Sequence, residues 1–238
     1  MSKALLKKLT KQMGYVITAY DSMRDPLVIR KSLFETLDIG VVLDVGANVG
    51  QYARHLRESG YQGRIVSFEP LTSAYKSLAE AATLDSKWTA CHCALGSENG
   101  TSEIFVSSNS WSSSMLDILP DHTRAAPDSK YVNKEVISIK ALDSLFDEYV
   151  SAGEKVFLKI DTQGYTKQVL SGANNSIGKI SGVFVEMSLV PLYAGEPLIG
   201  EVITMMYTKG FSLLAIEPEF VDKTSGRLLQ VNGLFART

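Results

Sequence analysis

The sequence has little cysteine, no long apolar run and no excess of one charge. Its two cysteines, Cys91 and Cys93, lie two positions apart in a chain of 238 residues, and a bridge between them would close too short a loop to staple a fold. We therefore expect a reduced, cytoplasmic protein. No stretch reaches the roughly 18 apolar residues of a membrane span, and the start lacks the apolar core and cleavage site of a signal peptide.

Charge is nearly balanced, since 24 basic residues stand against 26 acidic ones and the formal net charge is -2. Without a strong positive field, the chain is not expected to bind nucleic acid. The composition is 45% hydrophobic and 21% charged, as in an ordinary soluble domain. It excludes a disordered tail, a collagen-like fibre and a disulfide scaffold.

Residues 1–40 have the periodicity of a helical extension. Apolar residues recur at steps of three and four while lysines occupy the opposite face, which predicts an amphipathic basic helix. The apolar residues are Leu5, Leu6, Leu9, Met13, Val16 and Ile17, and the lysines are Lys3, Lys7, Lys8 and Lys11. We expect the helix to pack on the domain with its lysines in water. A weak membrane-surface contact and burial against a second copy, in a homodimer, are the alternatives.

From residue 41 to residue 238, short β-branched runs alternate with helix-length segments. The predicted strands cover residues 41–46, 64–69, 88–95, 155–161 and 182–187, and the predicted helices cover residues 51–59, 72–84, 165–173 and 197–209. Strands that alternate with helices form parallel βαβ units, and strands that are apolar almost throughout are buried on both faces. The pattern predicts one doubly wound α/β domain over residues 41–238.

Two segments depart from this alternation. Residues 211–219 and 228–237 are joined by a turn without room for a crossover helix, which predicts a closing antiparallel hairpin. A serine-rich insertion runs from residue 101 to about residue 143. We expect this insertion to be a lid or substrate segment, with Ser113 and Ser114 as candidate substrate contacts.

The sharpest local motif is LDVGANVGQY, in which a strand ends in a glycine-rich turn before a helix. Gly46 and Gly50 are expected to let the backbone approach a ligand, and Asn48 tolerates a left-handed conformation. The following helix would offer its N-terminus to a polar ligand group. The spacing differs from that of a P-loop and from Gly-x-Gly-x-x-Gly, which favours a ligand without a pyrophosphate. A tight turn with no ligand is the alternative.

Two further strand ends complete the outline of an adenosine site. Glu69 follows Gly46 by 23 positions, close to the spacing at which an acidic residue binds both ribose hydroxyls in nucleotide-binding sheets. Ala94 and Leu95 end the third predicted strand and could lie along an adenine face. The alternative for Glu69 is a solvated carboxylate at a strand end.

Asp161 and Glu186 end the fourth and fifth predicted strands. A carboxylate at this edge could orient an acceptor hydroxyl, take its proton or bind a metal, and strand alternation points Lys159 to the same side as Asp161. The alternatives are a helix N-cap for Asp161 and a structural ion pair for Glu186. We predict no metal site, because oxygen ligands of recognisable spacing are lacking and the cysteines at 91 and 93 have no second ligand pair.

In order along the chain, these segments resemble the FkbM family of S-adenosylmethionine-dependent methyltransferases. The resemblance rests on LDVGANVGQY, VSFEP, ALG followed by Gly100, the serines at 112–114, ALDSLFDEY, LKIDTQGY with VLSGA, VEMSLVPLY and GRLLQVNGLF. It implies a seven-stranded Rossmann-like class I sheet whose last strand is antiparallel. It also implies O-methylation of a hydroxyl on a sugar, a glycolipid or a secondary metabolite.

The resemblance implies roles for single residues as well. In the glycine motif, the residues implied in holding the cofactor are Asp44, Gly46, Asn48, Gly50, Gln51 and Tyr52. Glu69 would hold the ribose, and Asp161 would act in catalysis with Glu186 as the second candidate base. Thr166 departs from the family, since many members carry a glutamate shortly after the Gly-Tyr pair.

Other functions stay open at this point. A nicotinamide-dependent oxidoreductase could use the same turn and Glu69, although the glycine spacing is off pattern and a Tyr-x-x-x-Lys pair is absent. A non-catalytic adenosine-binding module could keep the pocket alone, and Thr166 favours it. The chain lacks both the Ser-His-Asp order and the Gly-x-Ser-x-Gly elbow of a hydrolase, so His55 and His122 are interpreted as surface or packing residues.

Overall fold

A computed structural model describes residues 3–15 and 26–237 of the chain, which divides into two units, residues 1–36 and residues 37–238. The first unit contains α1 (Lys3–Gln12) and α2 (Pro26–Thr36). In α1, Leu5 and Leu9 are exposed. The predicted periodic positions Val16 and Ile17 lie outside the described residues. The division of the chain at residue 40 and the surface that the helix contacts stay predictions.

The second unit alternates strands and helices. Its strands are β1 (Ile39–Val45), β2 (Arg64–Phe68), β3 (Trp88–Cys91), β4 (Ala94–Leu95), β5 (Gly100–Ser107), β6 (Tyr131–Lys140), β7 (Lys155–Ile160), β8 (Ile180–Ser188), β9 (Ser212–Val221) and β10 (Leu228–Ala236). Its helices are α3 (Gln51–Glu58), α4 (Thr72–Ala82), α5 (Pro120–Ala125), α6 (Leu142–Tyr149), α7 (Thr166–Ser171) and α8 (Ile199–Thr208).

Seven strands form one sheet in the order β3-β2-β1-β7-β8-β10-β9. Neighbouring strands are parallel except where β10 lies antiparallel to β8 and β9. This confirms the predicted doubly wound α/β sheet with an antiparallel last strand. The chain moves outward from β1 to β3 and then resumes on the other side of β1 at β7. The carboxyl ends of β1 and β7 therefore flank the switch point at which open α/β sheets bind ligands.

The apolar runs form the centre of this sheet. Val42 and Leu43 in β1 and Phe157 and Leu158 in β7 have no exposed surface. Removing each such side chain from water stabilises the fold by about 1.5–3 kcal/mol. Side chains of helices α6, α7 and α8 pack with Leu43 and Leu158 in one core, which fixes the central strands that carry the candidate site.

The third predicted strand is wrong in its extent. The sequence predicts one strand over residues 88–95, but β3 ends at Cys91 and Ala94–Leu95 form β4, which belongs to a separate sheet of order β4-β6-β5. The strand breaks because Cys93 N donates to Cys91 O at 3.1 Å in a tight turn. Strands β5 and β6 of the insertion thus join β4 in a small sheet, and the irregular part of the insertion lies between β5 and β6. None of the helices placed within residues 3–15 and 26–237 has the length and apolarity to cross a bilayer.

Candidate active site

The glycine-rich turn joins β1 to α3 at the switch point of the sheet. Gly46, Asn48 and Gly50 have φ angles of 75°, 47° and 88°, which confirms the left-handed conformation predicted for Asn48. Gly46 N donates to Phe68 O at 3.1 Å, and Val49 N donates to Asn48 Oδ1 at 2.9 Å. The end of β2 and the asparagine side chain together fix the shape of the turn.

The space beside both glycines is filled by protein. A Cβ on Gly46 would lie 1.8 Å from Asp161 O, and a Cβ on Gly50 would lie 2.7 Å from the ring of Trp88. The expectation that these glycines let a ligand approach the backbone stays a prediction. They let the turn press against the end of β7 and against β3, while their assignment to cofactor binding stays a prediction.

Helix α3 begins directly after the turn with Gln51 and Tyr52. Its N-cap is Gly50, which provides no side-chain cap, so the first turn of the helix offers its backbone donors without an internal side-chain acceptor at the cap. Gln51 is half-buried. The ring of Tyr52 stacks on Phe184 at 6.1 Å between centroids and lies 5.6 Å from Lys159 Nζ.

Glu69 follows β2 and its carboxylate meets the glycine turn. Oε2 accepts a hydrogen bond from Asn48 N at 2.8 Å, Oε1 accepts one from Leu71 N at 2.9 Å, and the residue is 4% exposed. Burial raises the pKa of Glu69 to about 7, although both backbone donors and Lys159 act in the opposite direction. Each carboxylate oxygen keeps capacity for a further hydrogen bond, as its predicted contact with two ribose hydroxyls requires.

Ala94 and Leu95 lie in the short strand β4 and are both buried. Ala94 packs in a cluster with Leu71 and Ala74, whereas Leu95 belongs to the main core of the large sheet. Their side chains therefore take part in packing between the two sheets. Their predicted place along an adenine face is tested by none of these contacts.

A row of polar contacts crosses four neighbouring strands, from Trp88 at the start of β3 to residues near the carboxyl ends of β2, β1 and β7. Trp88 Nε1 donates to Ser67 Oγ at 3.0 Å, and Ser67 Oγ donates to Asp44 Oδ2 at 3.0 Å. Asp44 Oδ1 lies 3.2 Å from Lys159 Nζ, in an ion pair that lacks hydrogen-bond geometry. Asp44 has no exposed surface, and its assignment to cofactor binding stays a prediction.

Lys159 continues this row toward the predicted catalytic carboxylates. Its ammonium donates to Gly46 O at 2.9 Å and lies 3.4 Å from Asp161 Oδ2. Burial lowers the pKa of Lys159, but the carboxylates of Asp44 and Asp161 raise it by more, so the net direction is upward. The side chain is therefore a buried cation between the glycine turn and Asp161.

Gln163 brings Asp161 and Glu186 together. Its Nε2 donates to Asp161 Oδ1 at 3.1 Å and to Glu186 Oε1 and Oε2 at 3.1 and 3.0 Å. Burial, followed by the negative charge of Asp161, raises the pKa of Glu186. Gln163 has a φ of 49°, a left-handed conformation that costs a non-glycine residue of order 1–3 kcal/mol and persists only where its surroundings enforce it.

The two structural alternatives for these carboxylates are not supported. The N-cap of α7 is Tyr165, and no side chain caps that helix, so Asp161 is not its N-cap. Glu186 contacts the neutral amide of Gln163 rather than a cation among its hydrogen-bond partners. Thr166 is buried at the start of α7.

Tyr193 and the serine-rich segment enclose Gln163. The Tyr193 hydroxyl lies 2.7 Å from Gln163 Oε1 and 3.2 Å from Ser112 O, and the residue is fully buried. Ser114 Oγ donates to Gln163 O at 2.7 Å and accepts from Leu116 N at 3.0 Å. Tyr193 therefore fixes the side-chain amide of Gln163, and Ser114 fixes its backbone.

Both predicted substrate serines form hydrogen bonds within the protein. Ser114 is 1% exposed, and Ser113 Oγ accepts a hydrogen bond from Ser107 N at 3.0 Å. Their hydroxyls shape the segment, so the structure gives them a supporting position and their contact with an acceptor stays a prediction. The segment also reaches the glycine turn, where Asn48 Nδ2 donates to Ser110 Oγ at 3.3 Å. Trp111, 67% exposed, is its large outward side chain.

His122 is a packing residue, as the sequence indicates. It is 3% exposed and packs edge-on against Tyr193, with 5.1 Å between ring centroids. Burial lowers the pKa of His122 to about 4. Across the part of the chain that the structure places, no group of three or more histidine, cysteine or acidic side chains could hold a metal ion.

Comparison with known proteins gives one family. The family described as Methyltransferase FkbM domain matches residues 44–213, a range that includes the glycine turn, Glu69, Asp161 and Glu186. No curated protein matches the chain.

Similar solved structures include an FkbM methyltransferase from Methylobacillus flagellatus KT, with 13% identity and a TM-score of 0.48 over 82% of this chain. The chain spans only 44% of that protein. The plantazolicin methyltransferase BamL has 12% identity and a TM-score of 0.48, with 89% of this chain and 84% of that chain covered. A putative RNA methyltransferase from Pyrococcus horikoshii has 12% identity and a TM-score of 0.46, with 90% and 86% covered.

Proposed function

The chain belongs to the FkbM methyltransferase family, and from this membership we propose that it transfers a methyl group from S-adenosylmethionine to a hydroxyl oxygen of a small-molecule or saccharide acceptor. One observation carries the choice of oxygen. Asp161 and Glu186 both accept hydrogen bonds from Gln163 Nε2, beside a turn suited to the donor. A neutral hydroxyl is a weak nucleophile and needs such a base.

S-adenosylmethionine, when bound, supplies a methyl group on a positively charged sulfur. The residues of this chain fit that cofactor. Glu69 has a buried carboxylate with hydrogen-bonding capacity for the ribose, and α3 begins with an uncapped N-terminus suited to a carboxylate. Gly46, Asn48, Gln51 and Tyr52 belong to the same turn and helix start, where we place the methionine part.

Glu186 and Asp161 are the two carboxylates that would contact the acceptor hydroxyl. Burial and the charge of Asp161 raise the pKa of Glu186, which brings this carboxylate nearer to the pH range in which a general base is effective. The Gln163 amide holds both carboxylates in one place, so an acceptor hydroxyl meets a fixed pair of oxygens. Holding two reactants in line replaces a bimolecular encounter and contributes much of the acceleration.

The competing functions lose their support. Membership in a methyltransferase family argues against the nicotinamide-dependent oxidoreductase. Thr166 is buried and has a packing role, so its departure from the family pattern does not argue for a non-catalytic module. We propose a cytoplasmic location, because the chain has only two cysteines and they lie too close together in sequence to staple a fold. Nucleic acid is not the acceptor we propose, and the homodimer stays a prediction.

Calorimetric titration tests the donor. S-adenosylmethionine and S-adenosylhomocysteine are expected to bind near the micromolar range, about -8 kcal/mol, while NAD and ATP do not bind. Tight binding of NAD would overturn the assignment of the donor.

Replacement of both carboxylates tests the base. Asp161→Asn combined with Glu186→Gln should abolish transfer of labelled methyl to hydroxylated acceptors and leave the affinity for S-adenosylhomocysteine intact. Asp147→Asn is the matched control, since this aspartate has an 89% exposed side chain on α6. Unchanged turnover in the double variant would remove Asp161 and Glu186 from the reaction.

A further inference from the structure

Lys159 occupies a position that the methyl-transfer chemistry does not itself explain. It is 5% exposed and is the penultimate residue of the central strand β7. Its ammonium has three oxygen neighbours: Gly46 O at 2.9 Å, Asp44 Oδ1 at 3.2 Å and Asp161 Oδ2 at 3.4 Å. An ammonium group has three N–H donors and no acceptor. It donates one hydrogen bond to the Gly46 carbonyl and forms ion pairs with the carboxylates of Asp44 and Asp161.

The sheet itself sets these distances. Asp44 is the register partner of Ser67 on one side and of Lys159 on the other, so the three side chains emerge from neighbouring strands at one level. Parallel strands lie about 4.8 Å apart, and the register leaves Lys159 little freedom to follow one neighbour without the other. The main-chain contact of Asp161 N with Val45 O at 3.0 Å joins the same two strand ends.

One cation therefore contacts both halves of the site. Gly46 belongs to the turn that would hold the donor, and Asp161 belongs to the pair that would act on the acceptor. A displacement of either one changes the distance of the other from the same ammonium group. The contacts of Lys159 also balance two carboxylates that would otherwise face each other across it.

We propose that Lys159 is a positioning residue that links the donor turn to the catalytic carboxylate, so that donor binding and the placement of Asp161 depend on one side chain. This inference rests on the proposed methyltransferase function. It assigns to Lys159 no contact with either substrate. A purely structural lysine would support folding without altering the affinity of a folded protein for the donor product.

The test uses S-adenosylhomocysteine as the probe and Lys159→Met as the main variant. We expect its dissociation constant to rise at least about 10-fold, because the Gly46 carbonyl loses its buried donor, and Lys159→Arg to recover part of that loss. Lys179→Met, at a 61% exposed lysine on the surface, should bind as the unaltered protein does.

A second readout needs no ligand. The chain has two tryptophans, and Trp111→Phe leaves Trp88, whose ring lies against Gly50, as the reporter of the turn. Lys159→Met in this background should increase quenching of Trp88 by acrylamide. If Lys159→Met does not fold, as circular dichroism will show, the combination of Asp44→Asn with Lys159→Met removes the unpaired carboxylate and carries the same two measurements.

The outcomes separate the two proposals. Unchanged affinity and unchanged Trp88 quenching in a folded Lys159 variant would overturn the link. Failure of the unaltered protein to bind S-adenosylhomocysteine would overturn the proposed function. In that case the quenching of Trp88 alone decides whether Lys159 fixes the turn: an increase supports the link, and no change refutes it.

Discussion

Replacing Gly46 by alanine tests whether the glycine turn is pressed against β7. In the native structure a Cβ at this position would lie 1.8 Å from Asp161 O and 2.9 Å from Asp161 C. A separation of that size cannot be relieved by a side-chain rotation, because both atoms belong to the backbone. The turn and the end of β7 must therefore move apart, and Asp161 must move with them.

The magnitude follows from two contributions. Gly46 has a φ of 75°, and an alanine in the left-handed region costs roughly 1–2 kcal/mol. Overpacking against fixed neighbours adds typically 1–3 kcal/mol, so Gly46→Ala should lower the free energy of unfolding by about 2–5 kcal/mol. Gly195 is the matched control, since its φ is also 75° and nothing lies within 4 Å of its Cβ position. Gly195→Ala should cost only about 1–2 kcal/mol.

Urea unfolding, followed by far-ultraviolet circular dichroism, measures both costs. For the folded fraction of Gly46→Ala we expect methyl transfer to fall by about 100-fold, the effect of a displacement near 1 Å at a reacting group, whereas Gly195→Ala keeps its turnover. Equal losses of stability in the two variants, within about 0.5 kcal/mol, the usual scatter of surface substitutions, would refute the close contact.

Three further predictions concern pH and packing. The affinity for S-adenosylhomocysteine should rise with pH through about 7, the pKa to which burial raises Glu69, because the ionised carboxylate accepts hydrogen bonds from both ribose hydroxyls. Glu69→Gln should bind the ligand more weakly and with an affinity that does not change with pH. Calorimetric titrations of the unaltered protein that give the same affinity at every pH would contradict this prediction. His122 has its pKa lowered from 6.5 to about 4 by burial, so the unfolded chain binds its proton first and stability falls as pH drops below 6.5. Between pH 7 and pH 5, the free energy of unfolding measured in urea should fall by about 2 kcal/mol more for the unaltered protein than for His122→Phe. Equal falls in the two proteins would exclude His122 as the cause of the pH dependence. Leu158→Ala, at a fully buried position, should lower the free energy of unfolding by about 2–5 kcal/mol. Leu84→Ala, at a 90% exposed position, should change it by no more than about 0.5 kcal/mol. Similar shifts of the urea midpoint in both variants would argue against the assigned core.

The large sheet could be predicted from the sequence because its strands are apolar runs bounded by polar or glycine residues. The observed β1, Ile39–Val45, differs from the predicted 41–46 by two residues at its start, where the pattern of burial does not mark an end. The second sheet could not be predicted. It joins β4 with β5 and β6, and such pairings depend on tertiary contacts rather than on local propensity.

The candidate site could likewise be predicted only in part from the sequence. Asp161 follows β7, and Glu186 lies near the end of the neighbouring parallel strand β8. The carboxyl ends of parallel strands meet at one edge, so the proximity of the two carboxylates follows from the topology. Gln163 and Tyr193 lie in loops, and the contact between them depends on the left-handed backbone of Gln163. The sequence LKIDTQGY contains no feature that marks this conformation, since glutamine has no special tolerance for it.

Polar residues interrupt three otherwise apolar strands at Ser67, Asp44 and Lys159. They are register partners across β2, β1 and β7, so three isolated exceptions to the hydrophobic pattern form one row. Buried ion pairs contribute little net stability, because desolvation offsets the attraction, and hydrophobic replacements of similar volume are often neutral or stabilising. Stability therefore does not explain the row. Its contact with the Gly46 carbonyl and with Asp161 does, since apolar side chains at the same positions would leave the turn and the proposed catalytic carboxylate without a common partner.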